Sequence, residues 1–434
     1  MIKKINDKFL VLFLTMFILI FQGVINSVII FMLSVLIWTM FYLLNKENES
    51  IEFILSRMLV LSVPLSFTSI SGKFYSQSII SWFNIFFVLL TCLVFAKGMV
   101  EDRLNINKLS WGSLYIIGIA LVPVFVSGYR ISALKQYINL IVPLILIIVG
   151  NNVKYYCNEE GKETILLDYV FATNVTGIGT VFQFIVKNLF NIELGNYAYF
   201  GGYRHAYGFL FADFSFLSLY LVTGAIILLK QVDNGKIDKK IGLANMVFLV
   251  LSSIMTSART GAFSFIIVFA IFIMPKFFRY LLFNFPRALL IITLALVLVI
   301  SSTVLFARIR GDNKFSDSGR GSLNVSAFKI FLENPVFGVG FGSENYSNIS
   351  GMLPHNLIFQ YLAQGGIFFA LPLFIVLFII LSNSRKKDNI IFTVLLCILI
   401  GSLFVPNIFN SRFLGVVFLI FSIRDRDIVY QEVI

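Results

Sequence analysis

Long, almost uninterrupted apolar runs are the feature that most constrains what this chain can fold into. Two examples read SVIIFMLSVLIWTMFYLL at 27–44 and NIIFTVLLCILIGSLF at 389–404. An apolar segment of about 20 residues is long enough for a helix to cross the hydrocarbon layer of a bilayer. Strands of a membrane barrel alternate apolar and polar residues, and these runs do not alternate. The pattern therefore predicts a bundle of transmembrane helices.

The composition agrees with a membrane protein. Hydrophobic residues make up 58% of the 434 residues and charged residues only 13%, whereas a soluble domain carries about 25% charged residues. The net charge of +12 fits the Lys- and Arg-rich cytoplasmic loops of membrane proteins. We therefore expect membrane lipids, and not nucleic acid, as partners. We predict an all-α polytopic fold in which residues 1–434 form a single integral membrane domain.

The apolar runs predict about 14 spans when the N-terminus is placed on the cytoplasmic side. This orientation returns the segments NKENES, KGMVEDRLNINK, KQVDNGKIDKK and NSRKKDN to the cytoplasm. Pro64, Pro143 and Pro372 fall inside spans, where membrane helices tolerate proline. The predicted spans are 9–24, 26–44, 51–70, 78–97, 109–127, 133–150, 165–188, 209–230, 240–256, 260–275, 286–306, 356–382, 389–405 and 411–423.

Two outer loops are much longer than the others, at 191–208 and 307–354. Long ordered loops in a compact protein are usually functional, so we expect these two to form the active site. Within the second loop, SLNVSAFKIFLEN spaces its apolar residues as a helix does and stops at Asn334-Pro335. It predicts a short amphipathic helix lying on the outer surface.

The chain has two histidines, His205 and His355, one in each long outer loop. A lone histidine is more often structural than catalytic. His355 is the stronger candidate because the motif PHN opens a predicted membrane helix, whose positive end disfavours imidazolium. A neutral imidazole can accept a proton from a sugar hydroxyl. The one feature that favours a functional role for His205 is its position next to Arg204.

Several arginines are predicted on the outer face. A guanidinium binds phosphate with a fork of donors and stays charged, although contact with lipid headgroups is the more common role of a single arginine. Arg204 and Arg320 are the strongest candidates because each lies beside glycines, which let backbone approach a ligand closely. The predicted outer arginines are Arg204, Arg259, Arg308, Arg310, Arg320 and Arg412.

Among the acidic residues, Asp213 is the carboxylate expected to lie deepest in the membrane. Asp213 either takes part in the function of the site or stabilises the first turn of its own helix, where negative charge is favourable. The outer loops contain no pair of acidic residues with metal-binding spacing, so we predict neither a metal nor a cofactor. The run GVGFG lacks the strand–loop–helix context of a dinucleotide site.

Three blocks in the second half of the chain resemble the O-antigen polymerase and ligase superfamily. They are YRHAYGFLFADFSFLSLYL, TSARTGAFSF, and the long loop with Asn-Pro, Gly-x-Gly and His-Asn in order. The resemblance implies a membrane-embedded, GT-C-like and metal-independent glycosyltransferase. Its donor would be an oligosaccharide on a polyprenyl diphosphate such as undecaprenyl diphosphate. It would lie in the bacterial inner membrane with its active site on the outer face.

On this resemblance, His355 would act as base, Arg204 and Arg320 would bind the diphosphate, and Arg259, Asp213 and Asn356 would support them. A lipid-linked repeat unit as acceptor would make the enzyme a polymerase of O-antigen or capsule, working with a flippase and a chain-length regulator. If the acceptor is a lipopolysaccharide core, the enzyme would be an O-antigen ligase. If the acceptor is a protein hydroxyl, it would be a protein O-oligosaccharyltransferase. A transporter of lipid-linked sugars remains a separate alternative.

Overall fold

The computed structural model describes residues 2–73, 80–102, 104–201, 204–283 and 319–425, which form a helical bundle with a short β-hairpin. The hairpin pairs β1 (Tyr197–Phe200) with β2 (Arg204–Tyr207) in antiparallel register. The helices are α1 (Ile2–Phe21), α2 (Ser27–Asn45), α3 (Ile51–Leu61), α4 (Trp82–Val100), α5 (Lys108–Ile119), α6 (Leu121–Val126), α7 (Arg130–Val153), α8 (Glu159–Phe190), α9 (Phe214–Asp233), α10 (Lys239–Met255), α11 (Arg259–Phe283), α12 (Arg320–Glu333), α13 (Ser343–Ser350), α14 (Leu357–Lys387), α15 (Asn389–Ser402) and α16 (Phe413–Arg424).

The helices agree with a polytopic membrane protein. In the described part of the chain, seven helical segments are long and apolar enough to cross a membrane, and three shorter apolar helices accompany them. The predicted span 286–306 lies outside the described residues, and the number of 14 crossings stays a prediction. Pro143 and Pro372 lie inside helices as expected. The seven segments are Ser27–Asn45, Trp82–Val100, Lys108–Val126, Arg130–Tyr156, Glu159–Phe190, Phe214–Asp233 and Leu357–Lys387.

Two details of the predicted fold are wrong. The span 51–70 is not one helix: α3 ends at Leu61, and a 3-10 turn over Val63–Leu65 follows at Pro64. Proline has no N–H for the helical ladder and its ring clashes with the preceding turn. The fold is also not entirely α-helical, because residues 191–208 contain the hairpin.

Helix α14 is broken at Gly366, whose φ of 59° and ψ of −170° lie outside the helical region. The segment 335–342, here called the glycine loop, docks on the unwound turn. Val339 and Gly340 donate backbone N–H bonds to the carbonyls of Ala363 and Gln364, each at 2.9 Å. A Cβ added at Gly366 would lie 2.2 Å from the carbonyl oxygen of Val336. Glycine is required here because two backbones meet with no room for a side chain.

Buried charges lie among α1, α3 and α8, where the sequence analysis expected few. The fully buried Arg57 places Nε 2.7 Å from Oδ2 of Asp168, and Lys8 Nζ lies 2.5 Å from Oδ1 of the same carboxylate. Asp168 is fully buried whereas Asp213 is partly exposed. Asp213 is therefore not the most buried carboxylate of the described residues, and its depth in the membrane stays a prediction. A buried arginine needs such partners because burying an unpaired charge is costly.

Candidate functional site

Several helices begin at the end of the bundle where the hairpin and the glycine loop lie, and we call this the site end. Among them are α9, α11, α14 and α16. Helix α15 packs against α9, α11, α14 and α16 and ends among their starts. The N-terminus of a helix carries unsatisfied N–H groups and partial positive charge. The site end therefore favours anions before any side chain is considered.

His355 lies just before α14, with Arg320 and Asp213 close enough to act on it electrostatically. The pKa of His355 lies below its ordinary value, first because the ring is buried and second because Arg320 is positive. The negative charge of Asp213 and a hydrogen bond with the Phe404 backbone act in the opposite direction. Burial and Arg320 therefore supply the preference for neutral imidazole that the sequence analysis attributed to the helix dipole.

Asn356 and Asp213 are both helix caps. Oδ1 of Asn356 accepts hydrogen bonds from the N–H groups of Ile358 and Phe359, and Nδ2 donates to the carbonyl of Leu403 at 3.3 Å. Asp213 accepts from the first turn of α9, from Ser215 at 2.6 Å and Phe216 at 3.0 Å. The helix-start interpretation of Asp213 is thus correct, and the cap holds its carboxylate fixed near His355.

Arg204 extends from β2 to the turn that begins α11. Its Nε donates to Oγ of Ser257 at 2.8 Å, its Nη2 donates to the Ser257 carbonyl at 3.2 Å, and its guanidinium lies over the ring of Phe200. Ser257 lies two residues before Arg259, the first residue of α11. These contacts fix the guanidinium of Arg204 at the turn that precedes Arg259.

Helix α11 connects the turn at Ser257 and Arg259 to His355. The ring of Phe263, in the second turn of α11, lies 5.0 Å from the ring of Phe404 in an edge-on contact. Phe404 in turn hydrogen-bonds His355 through its backbone. The hairpin and the described part of the second predicted loop, residues 319–354, thus meet the same group of helix starts.

Arg320 is the first residue of α12, which follows Gly319 at a φ of 76°. The predicted amphipathic helix is therefore present, and it ends at Glu333 before Asn334-Pro335. It packs on α14 through the rings of Phe328 and Phe359. Of its apolar residues, Ala327 and Ile330 are buried, whereas those with exposed side chains are Val325, Phe328 and Leu332.

His205 has a local partner. Its Nδ1 lies 2.7 Å from the hydroxyl of Tyr197, and its ring packs on Tyr199, the cross-strand neighbour. These contacts stabilise the hairpin, in line with the weaker role expected for His205. Arg308 and Arg310 lie outside the described residues.

Sequence reasoning missed a chain of buried amides beneath the site. Gln136 donates to Gln364 at 2.7 Å, Gln360 donates to the same oxygen at 3.1 Å, and Gln360 also bonds Asn407. Gln136 also accepts the N–H of Gly342 at 2.8 Å, so the chain fastens the glycine loop. Gln360 and Gln364 lie four residues apart in an otherwise apolar run that begins a helix, and this spacing is the signal for a buried hydrogen-bonded pair.

The arrangement places a histidine with a lowered pKa near Arg320 and several helix starts. Such a site can bind a diphosphate and can take a proton from a hydroxyl beside it. Comparison with known families agrees, because residues 244–374 match the family model described as O-antigen ligase. The match confirms the resemblance to the O-antigen polymerase and ligase superfamily. The matched residues include Arg259, Arg320 and His355, whereas Arg204 and Asp213 precede them. No curated protein matched the chain.

Proposed function

We propose that this protein is a membrane glycosyltransferase that polymerises repeat units of a surface polysaccharide, O-antigen or capsule. The donor is a glycan on polyprenyl diphosphate, and the acceptor is a sugar hydroxyl of a second lipid-linked unit. The observation that carries this proposal is the position of His355, a histidine with a lowered pKa beside Arg320 at a cluster of helix starts. The O-antigen ligase match over residues 244–374 supports the substrate class.

In the proposed reaction, His355 accepts the proton of the acceptor hydroxyl while the hydroxyl oxygen attacks the anomeric carbon of the donor. The new C–O bond forms as the bond between that carbon and the diphosphate oxygen breaks. The electron pair leaves with polyprenyl diphosphate. A lowered pKa keeps His355 ready to accept the proton.

Arg204 and Arg320 hold the diphosphate and stabilise the charge that grows on it during bond cleavage. Arg204 bonds Ser257 just before α11, and Arg259 is the first residue of that helix, so Arg259 adds positive charge at the start of α11. Asp213 and Asn356 fix the starts of α9 and α14, which keeps His355 in place. This chemistry assigns no step to a metal or a cofactor.

The site is proposed to face the outer side of the bacterial inner membrane. Arg385 and Lys386 are exposed at the end of α14, at the opposite end of the bundle. Lys and Arg are enriched on the cytoplasmic side of membrane proteins, so this opposite end is proposed to face the cytoplasm. A flippase would deliver the lipid-linked unit to the outer leaflet, and a chain-length regulator would act on the product.

The test uses the purified protein in detergent micelles with a lipid-linked repeat unit as the sole sugar substrate. Micelles have no compartments, so a transporter gives no product, whereas a polymerase gives a ladder of longer lipid-linked glycans. His355→Ala is expected to reduce turnover about 10²–10⁴-fold while donor binding persists. A wild-type protein that binds the donor but forms no glycosidic bond with any acceptor would exclude the proposed reaction.

An O-antigen ligase is the second candidate, because the family model that matches residues 244–374 is described as O-antigen ligase. The same assay separates the two by acceptor. Adding lipopolysaccharide core gives a core-linked glycan if the protein is a ligase, and an unchanged ladder if it is a polymerase. A peptide acceptor tests protein O-glycosylation in the same way.

A further inference from the structure

Arg412 has an unusual backbone for an arginine. It connects the 3-10 helix Ile408–Ser411 to α16, with φ of 61° and ψ of −47°. Residues with a Cβ rarely adopt positive φ, and they do so at a cost in free energy. Glycine would relieve this cost, so the arginine side chain must contribute something in return.

Two of the three guanidinium nitrogens of Arg412 have no acceptor among the described residues. Its Nε and Nη1 are shielded from solvent, and neither has a hydrogen-bond partner in the described part of the chain. Other buried arginines are paired: Arg57 contacts Asp168, and Arg424 contacts Asp388 at 2.6 Å. A buried cation without an anion is costly. The residue as a whole remains partly accessible, so an anion can reach it.

The segment that carries Arg412 forms one wall of the site. Earlier in this segment, Leu403 accepts a hydrogen bond from Asn356, and Phe404 contacts His355. Immediately after Arg412, the ring of Phe413 lies 5.6 Å from Tyr220 in α9, the helix that Asp213 caps. Arg412 therefore belongs to a segment that contacts both His355 and the helix that Asp213 caps.

The residue before Arg412 also carries a buried polar atom without a partner. Ser411 Oγ has no hydrogen-bond partner among the described residues. Ser411 and Arg412 directly precede α16. A guanidinium and a hydroxyl at a helix start are suited to an oxyanion.

We propose that Arg412 binds a phosphate oxygen of the lipid diphosphate donor as a third arginine of the site, beside Arg204 and Arg320. This inference rests on the proposed function, because it takes the donor to be a polyprenyl diphosphate. The phosphate supplies the missing anion, and the start of α16 adds its partial charge. Arg412 lies outside the matched segment 244–374.

The test measures binding of farnesyl diphosphate, a short polyprenyl diphosphate, and separately of phosphatidylglycerol, to the purified full chain in detergent. Arg412→Met keeps side-chain length and removes the charge. The matched control is Arg130→Met, which removes an exposed arginine at the start of α7, at the same end of the bundle. Thermal unfolding of the unliganded proteins serves as the structural readout.

Arg412→Met is expected to unfold at or above the wild-type temperature, since an unpaired buried charge is removed. It should bind farnesyl diphosphate about 10- to 100-fold more weakly, with phosphatidylglycerol binding unchanged. Arg130→Met should bind both as wild type does. If Arg412→Met does not fold, Arg412→Gln replaces it with the same expectation.

Wild-type affinity for farnesyl diphosphate in the folded Arg412 variant would overturn this inference and leave the proposed function standing. A loss confined to phosphatidylglycerol would also overturn it, because the anion would then be a headgroup. If the wild-type protein itself fails to bind farnesyl diphosphate, the inference and the proposed donor fail together.

Discussion

Arg204 and Ser257 join the β-hairpin to the start of α11 through two hydrogen bonds, from Nε to the serine hydroxyl at 2.8 Å and from Nη2 to the serine carbonyl at 3.2 Å. The residues are 53 positions apart in the chain. Ser257 itself holds a positive φ of 63°. The contact holds the Arg204 side chain in a fixed orientation. Bidentate binding of a phosphate by a planar guanidinium requires such an orientation.

Removing the Ser257 hydroxyl should weaken donor binding without removing the charge of Arg204. A hydrogen bond from a charged group contributes about 1.5 kcal/mol or more, so Ser257→Ala should raise the donor KM about 10-fold with kcat nearly unchanged. Arg204→Ala should reduce polymer formation far more, and Arg204→Lys should restore it only in part. Ser347→Ala, at an exposed hydroxyl bonded within α13, is the control. Equal kinetics for both serine variants would contradict a positioning role for Ser257.

The acidic limb of the pH profile of kcat/KM should follow the pKa of His355, which depends on the neighbouring charges of Arg320 and Asp213. The pKa of His355 is lowered, so activity should persist below pH 6.5 and fall once the imidazole becomes protonated. Arg320→Gln removes a positive neighbour, which raises the pKa of His355 and moves the acidic limb to higher pH. Asp213→Asn removes a negative neighbour, which lowers that pKa and moves the limb to lower pH. Shifts in the same direction would show that His355 is not the titrating base.

Gly366→Ala should dislodge the glycine loop. The new Cβ would meet the Val336 carbonyl at 2.2 Å, in a backbone conformation that is essentially restricted to glycine. We expect a lower unfolding temperature and faster proteolysis near residues 335–342. Gly118→Ala in α5 is the control, because nothing lies within 4 Å of its added Cβ. An unchanged proteolysis pattern for Gly366→Ala would show that the loop does not depend on this docking.

Asp168→Ala should affect folding and not chemistry. It leaves the buried Arg57 without its closest anion, and breaking a buried pair costs about 3–5 kcal/mol. Lys236→Ala breaks a half-exposed pair with Glu163 and should cost about 0–1 kcal/mol. Both are measured by thermal unfolding, and transfer is then measured per folded molecule. A large loss of transfer in folded Asp168→Ala would connect this cluster to the reaction.

The outer position of the site can be measured by labelling. In a background without native cysteines, Tyr199→Cys in the hairpin and Ser347→Cys in α13 should react with an impermeant thiol reagent on intact cells. Lys386→Cys, exposed at the other end of α14, should react only after the cells are opened. Labelling of one loop without the other would separate the two halves of the proposed site.

Much of the bundle can be predicted because hydrophobicity along the chain is a local property. A helix must satisfy its backbone groups internally in lipid, so each apolar run specifies a helix whatever its neighbours are. This explains why α9 and α10 were predicted closely, and why α12 was predicted to stop at Asn334-Pro335. Local rules also predicted that the helix beginning after PHN favours a neutral His355, although the main cause proved to be burial.

The sequence by itself determined the helical class, the two long loops and the residue types suited to diphosphate chemistry. Only the tertiary structure decided which of those residues act together. It bonded Ser257 to Arg204, set Arg320 and Asp213 near His355 with opposite effects on its pKa, and left two nitrogens of Arg412 buried without an acceptor among the described residues. These relationships depend on how helices pack, and packing joins residues far apart in the chain. No local pattern encodes a distance between such residues, because that distance is fixed only when side chains from several helices fill the same space.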